Sequence, residues 1–224
     1  KAADQLKKHG IKHLVVIGGD GTFRGAYELS RFGINVIGIP ATIDNDVMGT
    51  EQTIGFDTAL NTITEAVDKL RDTSSSHHRC SIIEVMGNRC GDLALYSGTA
   101  CGVDLIISPE HKPTEEEIIE TLKNINLTHA RHALVIVSEK QFDNLPAFKE
   151  KIVHETGFDT KVEVLGRIQR GGSPSAADRV LAARFGIYAI ELIASNIDNV
   201  CVGIINGRLT STPIGSTAKS LNPN

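Results

Sequence analysis

Short apolar runs alternate with helix-like segments along nearly the whole chain, and this alternation constrains the fold more than any other feature of the sequence. Polar residues do not interrupt the runs, which is typical of parallel strands covered on both faces. Predicted strands are His13–Ile17, Ile34–Ile39, Cys80–Val85, Val103–Ile107, Ala133–Ser138, Lys161–Leu165 and Cys201–Ile205. Predicted helices are Thr22–Arg31, Asp57–Arg71, Asp92–Ala100, Thr114–Leu122, Leu145–Glu155 and Pro174–Ala194. Strands and helices that alternate through short links predict an α/β fold built from right-handed crossovers.

Local signals mark the ends of some of these segments. Thr114 before three glutamates, and Ser173 before Pro174, are typical of helix starts. The polar run from Thr73 to Ser76 predicts a loop between two lobes. The tail over 211–224 is polar and is expected to be poorly ordered.

Composition excludes several classes of protein. With 224 residues, 41% of them hydrophobic, and a net charge of −4, the chain can bury a core in one large or two smaller α/β lobes. No apolar run approaches the ~18 residues of a membrane span, and the first residues are typical of an amphipathic helix rather than a signal peptide. The slight acidity argues against a nucleic-acid surface. The sequence therefore predicts a soluble protein with neither membrane nor nucleic acid as partner.

The cysteines indicate the compartment. Cys80, Cys90, Cys101 and Cys201 lie in or beside apolar segments and lack the spacing of metal sites. Buried, reduced thiols are the better interpretation. A cytoplasmic location follows as the expectation.

A glycine-rich turn follows the first predicted strand. The segment Val15–Thr22 reads Val-Val-Ile-Gly-Gly-Asp-Gly-Thr and runs from an apolar strand directly into a helix start. Such a turn places backbone N–H groups and the Asp20 carboxylate at the carboxyl end of a sheet, where nucleotides bind.

Further carboxylates follow the second predicted strand. Pro40 ends that strand, and Asp44 and Asp46 then flank Asn45. Together with Asp20, these groups suit a reaction in which one carboxylate takes a proton from a hydroxyl while the others hold Mg²⁺ against phosphate oxygens. The two segments together predict phosphoryl transfer.

The order of several motifs resembles one enzyme family. Gly-Gly-Asp-Gly-Thr alone also occurs in lipid kinases and NAD kinases. Further motifs are Pro-Ala-Thr-Ile-Asp-Asn-Asp (Pro40–Asp46), Thr-Ile-Gly-Phe-Asp-Thr-Ala (Thr53–Ala59), Arg-Asp-Thr-Ser-Ser-Ser-His (Arg71–His77), Glu-Val-Met-Gly (Glu84–Gly87) and Leu-Gly-Arg-Ile-Gln-Arg-Gly-Gly-Ser-Pro (Leu165–Pro174). In this order, and over nearly the whole chain, the combination resembles the bacterial ATP-dependent 6-phosphofructokinases.

The resemblance implies an architecture and an activity. Two lobes are expected, each a mostly parallel sheet covered by helices, with the N-terminal part of the first lobe missing. Residues 1–55 and 170–215 would form the nucleotide-binding lobe, and 56–169 and 216–224 the sugar-phosphate-binding lobe. The implied reaction transfers a phosphoryl group from ATP, with Mg²⁺, to the 1-hydroxyl of fructose 6-phosphate, giving fructose 1,6-bisphosphate and ADP in glycolysis. The implied assembly is a homotetramer whose active sites are shared between subunits.

The resemblance assigns roles on the phosphate side. Asp44 would be the general base, with a helix-capping aspartate as the alternative. Asp20 and Asp46 would hold Mg²⁺, although Asp46 also suits an Asx turn. Thr42 would hydrogen bond the phosphoryl group in transfer. The residues that would line the triphosphate through their backbone are Gly19, Asp20, Gly21 and Thr22, and a tight turn explains the same glycines.

The sugar phosphate, a dianion, requires cations. Arg79 and Lys161 match positions that reach the site from a neighbouring subunit, whereas Arg167 and Arg170 match positions of the home subunit. Glu139 would accept from sugar hydroxyls. The remaining substrate-binding residues implied by the resemblance are Ile43, Met86, Gly87 and Asn88, together with Thr42 and Asp44.

Departures from the family pattern bear on activity. Asn88 stands where an arginine usually stabilises the transferred phosphoryl group. We therefore expect Asn88 to contribute less to catalysis than an arginine would. Arg167 replaces a histidine and Lys161 replaces an arginine, which changes the geometry of phosphate recognition. A sizeable N-terminal portion of the family has no counterpart before Lys1, so the chain is expected to be a fragment or a truncated paralogue. A catalytically impaired ligand-binding or assembly subunit is therefore a second hypothesis.

Two further predictions concern the phosphate donor and regulation. Gly21 and Ala41 replace the aspartate and lysine of pyrophosphate-dependent relatives, so ATP is the expected donor and pyrophosphate the alternative. Arg71 and Asp104 match effector-contacting positions. Thr128 and Ala130 replace a lysine pair there, which predicts weak binding of a phosphate-bearing effector.

Overall fold

The computed structural model describes residues 1–75, 79–127 and 132–217. The helices are α1 (Ala2–Lys8), α2 (Asp20–Ser30), α3 (Phe56–Ser75), α4 (Asp92–Cys101), α5 (Glu115–Leu127), α6 (Leu145–Thr156), α7 (Ala176–Ala194) and α8 (Ile214–Thr217), with a 3₁₀ helix over Gly166–Arg170. The strands are β1 (His13–Gly18), β2 (Asn35–Pro40), β3 (Arg79–Val85), β4 (Leu105–Ile107), β5 (His132–Ser138), β6 (Asp159–Val164), β7 (Val200–Ile205) and β8 (Arg208–Pro213). The predicted alternation of strand and helix is confirmed.

The chain divides into two compact units. The first comprises Lys1–Asp57 and the chain from Pro174 onward, and the second comprises Thr58–Ser173. Among the described residues, no helix has the length and apolar character required to cross a membrane.

The sheet of the first unit has the order β1-β2-β7-β8. β1, β2 and β7 are parallel, and β8 returns antiparallel to β7. Successive residues of β2 point to opposite faces, because Val36 packs with Phe23 of α2, whereas Ile37 packs with Phe185 of α7. Helices therefore cover both faces of the central strands, as parallel strands require.

Three local predictions for this unit are wrong. β1 is not covered on both faces: it is the edge strand, and Ile17 is 65% exposed. The start of α7 is capped by Ser175, whose hydroxyl accepts from the N–H of Asp178, rather than by Ser173. The tail is ordered through residue 217, because Asn206 and Gly207, both with positive φ, form the turn that brings β8 back onto β7.

The predicted second lobe includes residues 216–224, of which 218–224 lie outside the described residues. Within the described part, Thr217 accepts at its carbonyl from the N–H of Met48 in the first unit. Its hydroxyl donates to the carbonyl of Ile214, which is buried in the core of the first unit.

The sheet of the second unit has the order β4-β5-β3-β6, with all strands parallel. Its principal core packs Ile82 of β3 and Val135 of β5 against Leu122 of α5 and Phe148 of α6. The predicted cap of α5 is confirmed, since Thr114 and Glu117 exchange hydrogen bonds between side chain and backbone in a capping box. The serine run predicted as a loop continues α3 instead, which extends to Ser75.

All four cysteines are buried, and none of them forms a disulfide. Burial raises the pKa of Cys80 and of Cys201 to about 12. These thiols are therefore protonated and packed, as the sequence predicts.

Candidate functional site

Two loops of the first unit begin side by side at the carboxyl edge of its sheet. Gly18, which ends β1, is in register with Pro40, which ends β2. The N–H of Ala41 donates to the carbonyl of Gly18 over 2.9 Å. The glycine-rich turn and the aspartate-containing loop therefore start from the same edge of the sheet, as predicted.

The glycine-rich turn leads directly into α2. Gly19 is the N-cap residue and supplies no side-chain hydrogen bond to the helix. A Cβ built on Gly19 would lie 3.3 Å from Cβ of Thr42, so the close approach of the two loops favours glycine here. A Cβ on Gly21 would contact nothing within 4 Å. Without a capping side chain, the N–H groups and dipole of the first turn of α2 are suited to an anion.

Hydrogen bonds within the first unit fix the loop that carries Asp44. The N–H of Asp44 donates to Oγ1 of Thr42 over 3.2 Å, and Oγ1 of Thr53 donates to the carbonyl of Thr42 over 2.6 Å. Oδ1 of Asn45 accepts from the N–H of Thr53 over 3.0 Å, and its Nδ2 donates to the carbonyl of Glu51 over 3.1 Å. Asn45 has φ 53°, a left-handed conformation that asparagine tolerates. The loop is therefore held in one shape.

Sequence reasoning missed the structural roles of Asn45 and Thr53. Thr53 is 1% exposed. The available signals were an asparagine between two aspartates and a threonine opening the next motif, but neither indicates that the two residues bond to each other.

The aspartates of this edge suit a metal that is shared with a ligand. Among the described residues, no group of three or more His, Cys, Asp and Glu side chains is arranged to hold a metal ion. Mg²⁺ commonly takes one or two carboxylates and completes its shell with water and phosphate oxygens. Asp20 begins α2, and Asp46 is buried in the neighbouring loop. This donor set fits a magnesium–phosphate ligand better than a cage made of protein alone.

A second set of predicted residues gathers at the carboxyl edge of the sheet in the second unit. Met86, Gly87 and Asn88 follow β3, and Glu139 follows the neighbouring β5. Oε1 of Glu139 accepts from the N–H of Asn88 over 2.8 Å. Nζ of Lys140 donates to Oδ1 of Asn88 over 2.9 Å. The Asn88 side chain is therefore held by a cation from the neighbouring loop.

A small cavity lies at this edge. It has a volume of about 210 Å³ and is lined by Glu84, Val85, Met86, Glu139, Val164, Gly166 and Arg167. Complete ligand pockets usually measure about 300–1,000 Å³, so this cavity is smaller than most of them. Arg170 is exposed at the end of the 3₁₀ helix and is not among the lining residues.

Two residues of this edge were not assigned a role from the sequence. Gln169 is 1% exposed, and its Oε1 accepts from the N–H of Met86 over 3.1 Å while its Nε2 donates to the carbonyl of Gly166. It therefore joins the end of β3 to the 3₁₀ helix. Burial, with a smaller contribution from the nearby Glu139 carboxylate, raises the pKa of Glu84.

Arg79 and Lys161 lie together on the same sheet, with Arg79 at its opposite end and Lys161 two residues further along, in register with Ser81. Nη2 of Arg79 is 3.1 Å from Oδ2 of Asp159, and Nζ of Lys161 is 2.9 Å from its Oδ1. Hydrogen bonding from Lys161, and then from Arg79, lowers the pKa of Asp159. Arg79 begins β3 and Met86 follows its end, so about 23 Å of strand separates them. The structure therefore does not bring these two cations to Glu139 and Arg167 within one chain.

The predicted effector residues make structural contacts. A guanidinium nitrogen of Arg71 donates to the carbonyl of Cys101. Oδ2 of Asp104 accepts from the N–H of Leu134 over 2.8 Å, which ties the start of β4 to β5. Thr128 and Ala130 lie outside the described residues.

Comparison with known proteins identifies the family. The phosphofructokinase family profile matches residues 1–193. This chain belongs to the phosphofructokinase family. A protein of Bacillus mycoides named ATP-dependent 6-phosphofructokinase is 50% identical over 214 residues, which are 96% of this chain and 67% of that protein. The protein of the same name from Bacillus cytotoxicus is 49% identical over the same shares.

A solved structure gives the same result for the fold. Phosphofructokinase from Saccharomyces cerevisiae superimposes with a TM-score of 0.87 at 32% identity, over 98% of this chain and 34% of the yeast chain. The chain therefore spans about two thirds of the bacterial relatives and about one third of the yeast protein. The α/β architecture expected for a phosphofructokinase is confirmed over the part that this chain covers.

Proposed function

We propose that this chain is the larger part of an ATP-dependent 6-phosphofructokinase, which transfers the γ-phosphoryl group of ATP to the 1-hydroxyl of fructose 6-phosphate. The products are fructose 1,6-bisphosphate and ADP, and the reaction belongs to glycolysis. The single observation that carries the proposal is the meeting of two loops, the uncapped start of α2 and the Asp44 loop, at one edge of a parallel sheet. The name of the Bacillus mycoides relative supports the choice of substrates.

The nucleotide is held by backbone groups. The first-turn N–H groups of α2, at Gly19, Gly21 and Thr22, take the phosphates. Open space beside Gly21 supports ATP as the donor, because an aspartate there would add bulk and negative charge next to a phosphate.

Asp44 acts as the general base. It accepts the proton of the sugar hydroxyl as the oxygen attacks phosphorus. Thr42 donates a hydrogen bond to the phosphoryl group during transfer. Ile43, between Thr42 and Asp44 in the sequence, contacts the substrate. Asp20 and Asp46 hold Mg²⁺, which when bound neutralises charge on the phosphate oxygens. The hydrogen bonds of Asn45 and Thr53 keep the base in place.

The second unit supplies the groups that recognise the sugar. Glu139 accepts from sugar hydroxyls, Met86 and Gly87 pack against the ring, and Arg167 and Arg170 meet the phosphate. Asn88, held by Glu139 and Lys140, occupies the position where relatives commonly carry a phosphoryl-stabilising arginine. We infer a lower turnover than an arginine would give.

Arg79 and Lys161 serve the site of another subunit. The distance along β3 supports this role most clearly for Arg79, which begins the strand about 23 Å from Met86, whereas Lys161 is in register with Ser81, about 13 Å from the end of the strand. Both cations form ion pairs with the carboxylate of Asp159 in the same chain, which supports the proposal that their side chains can approach one anionic group. The active assembly is then a homotetramer with shared sites.

The family resemblance also suggests where the enzyme acts and how it is regulated. Four buried thiols that form no disulfide suit the reducing cytoplasm. Arg71 and Asp104 border a regulatory site that binds a phosphate-bearing effector weakly, because lysines are missing at positions 128 and 130.

The test is direct detection of products. The full-length polypeptide is incubated with Mg-ATP and fructose 6-phosphate, and ADP and fructose 1,6-bisphosphate are measured by mass spectrometry. Asp44→Asn should lower kcat by about 10²–10⁴-fold, with sugar-phosphate affinity within a few-fold, because the amide keeps the shape but cannot accept a proton. Asp4→Asn, an exposed change in α1, is the matched control.

The possible outcomes separate the hypotheses. Binding of fructose 6-phosphate without any product would favour the non-catalytic subunit. Product formation from pyrophosphate but not from ATP would change the donor. Near-parental kcat in Asp44→Asn would refute the assignment of the base.

A further inference from the structure

Lys140 has a backbone conformation that lysine rarely adopts. It follows Glu139 in the turn after β5 and has φ 66°, in the left-handed region. In the described part of the chain, the other non-glycine residues with positive φ are all asparagines, whose short polar side chain tolerates this conformation. Glycine would fit the turn with less strain. Strained residues cluster at functional sites, so the side chain of Lys140 is a candidate for function.

Two hydrogen bonds place this side chain at the carboxyl edge of the sheet in the second unit. Nζ of Lys140 donates to Oδ1 of Asn88 over 2.9 Å. The N–H of Asn88 donates in turn to Oε1 of Glu139 over 2.8 Å. Asn88 is half-buried and follows β3, the strand that pairs with β5. The ammonium is therefore held at the edge where Glu139 lines the small cavity.

The charge of Lys140 is not neutralised by an ion pair within the described residues. Its hydrogen-bond acceptor is a neutral amide oxygen, whereas Lys69 pairs with Glu65 and Lys161 pairs with Asp159. An ammonium has three donors, and Asn88 takes one of them. Because Lys140 is exposed, the remaining donors are within reach of a ligand.

An anionic ligand at this edge requires cations. Glu84 and Glu139 both line the cavity. Their carboxylates disfavour a phosphate group unless positive charge offsets them. Arg167 supplies one cation from the 3₁₀ helix, and Lys140 adds a second from the turn after β5.

We propose that Lys140 is a further substrate-binding residue, whose ammonium binds an oxygen of the phosphoryl group in transfer. This inference rests on the proposed function, which places Asn88 beside that group. Because Nζ of Lys140 is bonded to Asn88, it lies beside the same group. The cation stabilises charge on the phosphoryl oxygens, and Asn88 orients the ammonium.

Charge removal in the full-length enzyme tests this assignment by steady-state kinetics. Lys140→Met keeps the length of the side chain but loses the charge, and should lower kcat about 10-fold or more while KM for fructose 6-phosphate stays within a few-fold. Lys140→Arg keeps the charge and should recover most of kcat. Lys69→Met, which removes an exposed ammonium from α3, is the matched control and should leave both constants unchanged.

Lys140→Gly separates the side chain from the backbone. Glycine relieves the left-handed strain, so the melting temperature should stay the same or rise by up to about 3 °C, while kcat falls as far as in Lys140→Met. A residue that only maintained the turn would lose stability and activity together. Asn196→Gly, at an exposed position with φ 56°, is the control for the backbone change and should leave kcat unchanged.

Ligand binding gives a readout that does not require turnover. Calorimetric titration of the full-length protein compares fructose 6-phosphate with fructose 1,6-bisphosphate, which carries a phosphate at the position where the phosphoryl group arrives. Lys140→Met should weaken binding of the bisphosphate about 10-fold, and binding of the monophosphate by no more than about 2-fold. If the parental protein makes no product but shows this difference, the proposed function fails and the assignment of Lys140 stands.

Four results would overturn the assignment. Parental kcat in Lys140→Met would do so, as would an equal loss of kcat in Lys140→Met and Lys140→Arg. A lower melting temperature together with a lower kcat in Lys140→Gly would indicate a structural role instead. Equal weakening of both sugar phosphates would exclude the phosphoryl group as the partner of the ammonium. A parental protein that binds neither sugar phosphate would refute both this assignment and the proposed function.

Discussion

Thr53 is a buried residue whose hydrogen bonds fix the loop that carries Asp44, the proposed general base. Its hydroxyl donates to the carbonyl of Thr42, and its N–H donates to Asn45, so it joins both ends of the loop that contains Asp44. Thr53 itself is 1% exposed and cannot reach a substrate. Its contribution is therefore to positioning, which is sensitive to displacements of about 1 Å.

Thr53→Val should lower kcat by about 10–100-fold while KM for fructose 6-phosphate stays within a few-fold, because the loop loses a fixed anchor. Steady-state kinetics of the full-length enzyme measure both constants. Thr53→Ser keeps the hydroxyl and should recover most of kcat. Thr121→Val is the matched control, since it removes a hydroxyl that donates to a backbone carbonyl within α5. Equal loss of kcat in the valine and serine variants would contradict the positioning role.

The position of the three aspartates in the first unit could be predicted, because each depends only on neighbouring residues in the sequence. Asp20, Asp44 and Asp46 each follow a strand end within a few residues. Gln169 and Asp159 could not be foreseen. Gln169 bonds to Met86, and Asp159 pairs with Arg79, so each role depends on a partner about eighty residues away and on the register of β3 with its neighbours.

At the scale of elements, the pairing of β3 with β5 brings two acids together at one sheet edge. Glu84 is in register with Val137, and Glu139 follows the end of β5. Burial and the Glu139 carboxylate raise the pKa of Glu84. A raised carboxyl pKa stabilises the fold where the group is protonated, below its unfolded value, and this stabilisation is lost as the pH rises through the folded pKa.

Glu84→Gln should therefore raise the melting temperature at pH 7–8, by up to about 2 °C after allowance for solvent screening. The gain should shrink as the pH falls below the raised pKa of Glu84, because the native glutamate is then also neutral. Thermal denaturation across this pH range measures the effect. Glu163→Gln, at an exposed position of β6, is the control and should show no such pH-dependent gain. Lower stability of Glu84→Gln at neutral pH would refute the argument.

Local sequence signals were not sufficient to predict every strand and every helix end. The seven predicted strands and six predicted helices are all present, because their apolar periodicity reflects burial. β8 was not predicted although Asn206-Gly207 is a hairpin signal, because the polar composition of 211–224 indicates a tail instead. The serine run at the end of α3 has low helix propensity, but the helix continues through Ser75.

At the scale of the whole molecule, the predicted sugar-phosphate cations form two separate groups on one sheet. Arg167 lines the cavity beside Glu139, whereas Arg79 and Lys161 share Asp159. The proposed site uses both groups, so it needs Arg79 and Lys161 from a neighbouring subunit, which stays a prediction.

Subunit complementation should therefore occur in the full-length enzyme. Arg79→Ala and Asp44→Ala should each be inactive alone, because every site lacks either a phosphate anchor or the base. Mixed oligomers should regain activity at sites that combine intact Asp44 from one subunit with intact Arg79 from its neighbour. Activity after mixing, with exchange verified by mass spectrometry, is the measurement, and Arg31→Ala is the control cation. Full activity in a monomer, or no recovery despite proven mixing, would exclude a shared site.

The exposed edge strand β1 has a consequence for the behaviour of this polypeptide in solution. β1 pairs only with β2 among the described strands, so the backbone groups on its other side are open to a further strand. Ile17, 65% exposed, adds apolar surface next to that row. Such edges seed intermolecular strand pairing and aggregation, which a net charge of −4 opposes only weakly. We therefore expect the solubility of the polypeptide to depend on what pairs with this strand.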